Sequence, residues 1–172
     1  MNYSLFSITS SRLKNDQKRS ICLLKNQQWK FGMKSQIDWF RKNVKKDDIH
    51  NLFYIKSKLV GYTLLRKRTC KINYSKKNVN YLFFDTLIID RKYQKKKLSN
   101  LFMNFNNTVI EQSGHFSSLI CKKEFLEFYK KNMWLRLQKK NVEFKDHFFS
   151  TNAMIFNLKN INKKKFTFYI NK

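Results

Sequence analysis

Apolar and polar positions alternate along this chain in short runs that switch between strand-like and helix-like spacing. Tyr3 to Ile8 is apolar-rich and predicts a first strand. Thr9, Ser10 and Ser11 follow as N-cap candidates, and Leu13, Gln17, Ile21 and Leu24 recur at helical spacing, which predicts a helix to about Gln28. Gly32 interrupts that pattern. Ile37, Phe40 and Val44 then mark a second short helix, closed by the KKDD run at 45–48. From His50 the period becomes strand-like, with strands at 51–55, 59–66 and 69–74. The polar turn SKKNVN leads into a strand at 81–89 that is apolar on both faces apart from Asp85, as a central position requires.

Beyond that strand, Leu98, Leu101, Phe102, Phe105 and Val109 form one helical stripe, and Gly114 ends the helix. A strand at 116–121, a helix at 124–132 and closing strands at 134–137 and 153–158 complete the pattern. The element order indicates an α/β domain with a mixed sheet over residues 1–160. The lysine-rich segment 161–172 reads as an edge strand or a tail.

Composition narrows the function classes. At 172 residues the chain has the size of one domain, and its 42% hydrophobic content argues against whole-chain disorder. The 37 basic and 11 acidic residues give a net charge of +26, a field that attracts nucleic acid, acidic surfaces or phosphorylated coenzymes. The same chain has no Pro and three Gly beside abundant Lys, Asn, Ile and Phe, so a general drift in composition is a second source of that charge. Cys22, Cys70 and Cys121 fit neither a disulfide framework nor a metal pattern and read as reduced thiols. His50, His115 and His147 are scattered without metal spacing, so no metal is expected. No apolar run reaches the roughly 20 residues of a membrane span, and the first residues lack a signal-peptide pattern, so the expected location is cytoplasmic.

Between the strand at 81–89 and the helix from 98 lies a basic turn containing Arg91, Lys92, Lys95, Lys96 and Lys97. Unpaired N–H groups at a helix start, with the positive end of the helix dipole behind them, cradle phosphate. The stretch therefore predicts a pyrophosphate site.

Three segments carry a family resemblance: KLVGYTLLR (58–66) with Gly61, LIIDRKYQKKKLSNLFM (87–103), and FLEFYKKNMW (125–134). Together they resemble the hairpin return, the pyrophosphate loop and the C-terminal helix of the GNAT superfamily of acyl-CoA N-acyltransferases. The resemblance implies a GNAT-like α/β fold, with a mixed, mostly antiparallel central sheet flanked by helices. It also implies N-acetyl transfer from acetyl-CoA, as cosubstrate, to a small primary amine. The coenzyme would wedge between the strands at 81–89 and 116–121. Its pantetheine would meet the backbone of Leu87, Ile88 and Ile89, and its pyrophosphate the N–H groups of Gln94, Lys95, Lys96, Lys97, Leu98, Ser99 and Asn100. Tyr129 matches the family tyrosine that protonates the departing thiolate.

For the base, Asp85 is the one carboxylate inside the apolar strand, where burial without partners would push its pKa upward. A structural Asp bonded to a neighbouring strand is the competing reading. The loop departs from the family's Q/R-x-x-G-x-G/A at Lys97 and Ser99, which stand at the two small positions, and Lys122 stands where relatives often have Asn. Trp29, Phe31, Met33 and Trp39 surround the break that lines the acceptor pocket in relatives. The charge favours a phosphate-bearing acceptor, such as an amino sugar or nucleotide sugar. The expected assembly is a monomer or homodimer. Two alternatives stay open: a basic nucleic-acid-binding module with stacking aromatics such as KFTFY (165–169), and a catalytically idle scaffold of the same fold.

Overall fold

The first strand pairs with the next strand in the sequence, although two helices lie between them. In a computed structural model, which describes residues 2–94, 97–145 and 152–171, β1 (Tyr3–Thr9) lies antiparallel to β2 (Ile49–Ile55), and β2 to β3 (Lys58–Ile72). Between β1 and β2 come α1 (Asn15–Gln28) and α2 (Met33–Asn43). Next are β4 (Val79–Ile89), α3 (Leu98–Gln112), β5 (Ser117–Cys121) and the short α4 (Leu126–Lys131). The chain ends with β6 (Leu135–Arg136), β7 (Val142–Phe144), β8 (Asn152–Phe156) and β9 (Phe166–Tyr169).

These nine strands join in the order β1-β2-β3-β4-β5-β8-β6, with β9 on β3 and β7 on β9. The β4–β5 and β7–β9 ladders are parallel; β3–β9, β5–β8 and β6–β8 are antiparallel. This is a mixed, mostly antiparallel α/β fold. Among the described residues no helix is long and apolar enough to cross a membrane.

Two compact units form, Met1–Arg66 with Asp85–Asn106, and Lys67–Phe84 with Asn107–Lys172; β3 and β4 run through both. The first unit has two apolar clusters, one on each face of its strands. Ile21, Leu24, Leu52, Leu64 and Ile88 pack under α1 and α2, and Phe53, Val60, Ile89 and Phe102 pack under α3. Ile88 and Ile89 thus serve opposite faces, as the period of two demands. Gly61 sits where Phe53 crosses: a Cβ there would lie 3.0 Å from Phe53 Cβ and 3.0 Å from Ile89 Cδ1, so only glycine lets the strands approach. The second unit is built on Tyr81, Phe116, Phe144, Phe166 and Phe168, with Phe166 and Phe168 rings stacked at 5.6 Å.

Several element boundaries differ from the sequence expectation. The predicted strands at 59–66 and 69–74 are one strand, β3. Thr9, Ser10 and Ser11 do not cap α1, which begins at Asn15. Instead Ser10–Arg12 forms a 3₁₀ turn, and the Ser10 hydroxyl donates to the Asp48 carbonyl at 3.2 Å and lies 2.7 Å from His50 Nε2. A long-range polar contact has replaced a local cap. The helix at 124–132 opens with a 3₁₀ turn at Lys123–Phe125, and the strand at 134–137 shrinks to Leu135–Arg136.

Candidate active site

β4 delivers the groups of interest in sequence. Thr86, Ile88 and Ile89 are buried, while Asp85 and Leu87 are partly open. Asp85 accepts from Arg66 Nη1 of β3 at 3.1 Å, and both side chains are largely buried, at 19% and 5% exposure. The bond to a neighbouring strand, the competing reading of Asp85, is present, because β3 carries a cation opposite it.

The strand then ends in a built turn. Asp90 accepts from the backbone N–H of Lys92 at 2.9 Å and caps a 3₁₀ turn at Arg91–Tyr93. It also holds Lys58 Nζ at 2.8 Å and receives Gln27 Nε2 at 3.3 Å. Burial pushes the Asp90 carboxyl up, but these hydrogen bonds more than offset it and hold the group below its ordinary value. Gln94 folds back, its Nε2 donating to the Ile89 carbonyl at 3.0 Å. Of the residues named for the pyrophosphate, Lys95 and Lys96 lie outside the described residues; Leu98, Ser99 and Asn100 form the first turn of α3.

Lys97 is exposed and has φ +57°, the left-handed conformation for which the family pattern uses glycine. The backbone thus takes the glycine-like path despite the side chain, at a cost of about 1–2 kcal/mol. Lys97→Gly removes that cost and adds chain entropy to the unfolded state, leaving a net gain of about 0.5 kcal/mol. The expected outcome is a melting temperature about 1–2 °C higher, with the coenzyme affinity that the family resemblance implies kept within about twofold of the parent. A tenfold loss of affinity in a titration would instead show the ammonium itself holding phosphate.

Beside Asp85 opens a cavity of about 510 Å³. Its walls are Trp29, Phe31 and Trp39, with Lys25, Gln36 and Thr86. The turn between α1 and α2 holds this wall: Gly32, at φ +84°, donates its N–H to Asn26 Oδ1 at 2.9 Å, and Gln36 Nε2 donates to the Trp29 carbonyl at 2.9 Å. The aromatics around the helix break therefore line a cavity, though Met33 belongs to the cluster under α1 and α2. Lys25 was not evident as a site residue from its sequence context. Its signal is position: four residues after Ile21 and three after Cys22, it shares their buried face of α1. Its Nζ lies 3.4 Å from the centre of the Trp39 ring, and burial pushes its pKa down to about 8 against the opposing pull of Asp85.

Tyr129 belongs to the second unit, on α4. α4 closes in a Schellman pattern, Trp134 N–H donating to the Tyr129 carbonyl at 3.1 Å and Met133 N–H to the Lys130 carbonyl at 2.9 Å. Met133, at φ +68°, fills the left-handed position where glycine is usual. The Tyr129 ring packs edge-on to Phe84 at 6.3 Å and against Trp134 at 6.0 Å, whose indole N–H donates to Asn107 Oδ1 at 3.0 Å. Burial, with a smaller push from Cys121, raises its phenol well above the ordinary range. Cys121 is a buried free thiol, pushed up by burial to about 11. His50 is fully buried between Phe40 and Tyr62, His115 is half-buried, and His147 lies outside the described residues.

No family model matches the chain, and no curated protein matches it in sequence. Solved structures do. Escherichia coli YhbS, a GNAT family N-acetyltransferase in complex with CoA, superposes with a TM-score of 0.69 over 99% of this chain and 91% of its own, at 9% identity. The chain has the GNAT fold. Escherichia coli ElaA agrees, with a TM-score of 0.64, 14% identity and coverage of 91% and 100%. So does the PaiA N-acetyltransferase of Thermoplasma acidophilum in complex with coenzyme A, with a TM-score of 0.58, 14% identity and coverage of 92% and 100%. On a GNAT fold, the turn after β4 and the cavity beside Asp85 are the features of the first unit that invite a functional reading.

Proposed function

We propose that this protein is an acetyl-CoA-dependent N-acetyltransferase acting on the primary amine of a small molecule. The observation that carries the reading is the left-handed Lys97 at the entry to α3, placed directly after a strand that carries Asp85 into an aromatic cavity. In this reading the α3 N-terminus, with Gln94 through Asn100, binds the coenzyme pyrophosphate, and the backbone of Leu87, Ile88 and Ile89 meets the pantetheine. Asp85 takes the proton from the acceptor ammonium, since only the neutral amine attacks a thioester. The amine nitrogen bonds to the acetyl carbon, the C–S bond breaks, Tyr129 gives its proton to the thiolate, and the second proton shed by the amine nitrogen restores the phenol.

The acceptor is proposed to carry phosphate, as an amino sugar or nucleotide sugar does; the support is the charge of +26, which disfavours a polycationic acceptor. Thermal unfolding with and without coenzyme tests the reading. CoA at about 100 times its Kd raises stability by about 2.7 kcal/mol, so a rise of several degrees is expected. An unmoved melting temperature at millimolar CoA would sink the proposal.

A further inference from the structure

Lysine is almost never fully buried unless it is paired. Lys25 is 5% exposed, and among the described residues its Nζ makes neither a hydrogen bond nor an ion pair; its close contact is the face of Trp39 at 3.4 Å. The cavity's carboxylate, Asp85, lies on β4 and is held by Arg66 of β3 at 3.1 Å. Cys22, one turn earlier on α1, is a thiol whose proton is held more firmly than usual by burial. The groups around the lysine therefore place one ammonium on a cavity wall with no counterion in contact. An ammonium kept in that condition is best satisfied by a ligand that brings the missing negative charge.

We propose that Lys25 binds an anionic group on the acceptor, while Asp85 at the same cavity takes the acceptor's amine. This rests on the acetyltransferase reading above. The acceptor class it names is an amine whose carbon skeleton also bears a phosphate or carboxylate, with a flat or ring-shaped body between the two. Trp29, Phe31 and Trp39 supply the faces on which that body stacks. A plain hydrophobic amine leaves Lys25 unsatisfied, and a polyamine places a second cation against Lys25 and Arg66. Lys25 is thus a specificity-determining residue, chosen by burial and by its missing partner rather than by the overall charge of the chain.

The test uses the full chain saturated with CoA, so that the pyrophosphate turn is already filled and added anions report the cavity. Two matched pairs are titrated calorimetrically: glucosamine 6-phosphate against glucosamine, and 4-(aminomethyl)benzoate against benzylamine. In at least one pair the anionic member is expected to bind about tenfold tighter or more. Lys25→Met reduces that ratio to within about twofold, and the ligand-free variant melts higher than the parent, since a buried unpaired charge has been replaced by an apolar chain of similar length. Lys25→Gln serves as a second variant if Lys25→Met does not fold, with the same collapse of the ratio expected. The proposal is overturned if neither pair discriminates, or if the ratio survives in the variants. A protein that saturates with CoA yet fails to discriminate loses only the role of Lys25; one that does not bind CoA loses the acetyltransferase reading itself.

Discussion

Tyr129→Phe lowers the rate of acetyl transfer by about 10²-fold or more and leaves CoA affinity within about twofold. The substitution removes one hydroxyl and keeps the ring that packs against Phe84 and Trp134. The hydroxyl makes no hydrogen bond to a described residue, so the folded protein loses little when it goes. In the proposed mechanism, what is lost is the proton given to the leaving thiolate. Burial raises the phenol above its ordinary value, so the proton is present throughout the neutral range and the acid is still competent at about pH 10. The turnover profile of the parent should therefore show no alkaline fall below that pH from loss of this acid. Free CoA release followed with a thiol reagent, beside an independent CoA titration, separates the two effects. Equal turnover in the variant would remove Tyr129 from the mechanism.

The segment from β4 to α3 is legible in the sequence because each of its signals is local. An apolar run, a cluster of cations and a helical stripe follow one another, and the structure forms β4, the Asp90-capped turn and α3 in that order. Gly61 is equally legible, since the absent Cβ is its whole contribution. What escapes the sequence depends on distant partners or on missing punctuation. Arg66 opposite Asp85 comes from another strand, and Lys25 looks like any helix lysine until Trp39 and the cavity surround it. Ser10 reads as a cap until β2 brings Asp48 and His50 to it. The chain has three Gly, so turns that ordinarily announce themselves by glycine are occupied by Lys97 and Met133 instead. In both places the backbone keeps the left-handed path and the tertiary structure meets the steric cost. At Lys97 the departure from the family pattern is one of side chain, with a glycine-like dihedral kept.

The second large effect is on stability in mild acid. His50 is fully buried, stacked on Phe40 at 5.5 Å, with Nδ1 2.9 Å from the Tyr62 hydroxyl and Nε2 2.7 Å from the Ser10 hydroxyl. Because the Ser10 hydroxyl donates to the Asp48 carbonyl, a neutral ring with its proton on Nε2 satisfies both contacts. Burial, reinforced by Lys18 and Lys25, pushes the His50 pKa from 6.5 down to about 4. The unfolded chain therefore takes up this proton near pH 6.5 while the folded chain refuses it until about pH 4. Between those values the unfolded state binds more protons, so stability falls as pH falls. Two and a half pK units correspond to about 3 kcal/mol, lost progressively on going from neutral pH to about pH 4 and levelling off below. Asp90 acts in a different window: its lowered carboxyl contributes stability above the ordinary carboxylate range, and that contribution fades only as pH drops through its folded value beneath that range. Urea unfolding at pH 7, 5.5 and 4 should show the decline in the parent. In His50→Gln, which starts from a lower stability, the slope between pH 6.5 and 4 should flatten by the His50 contribution. Parallel slopes for the two proteins would show that the imidazole is not the group that gates this acid response.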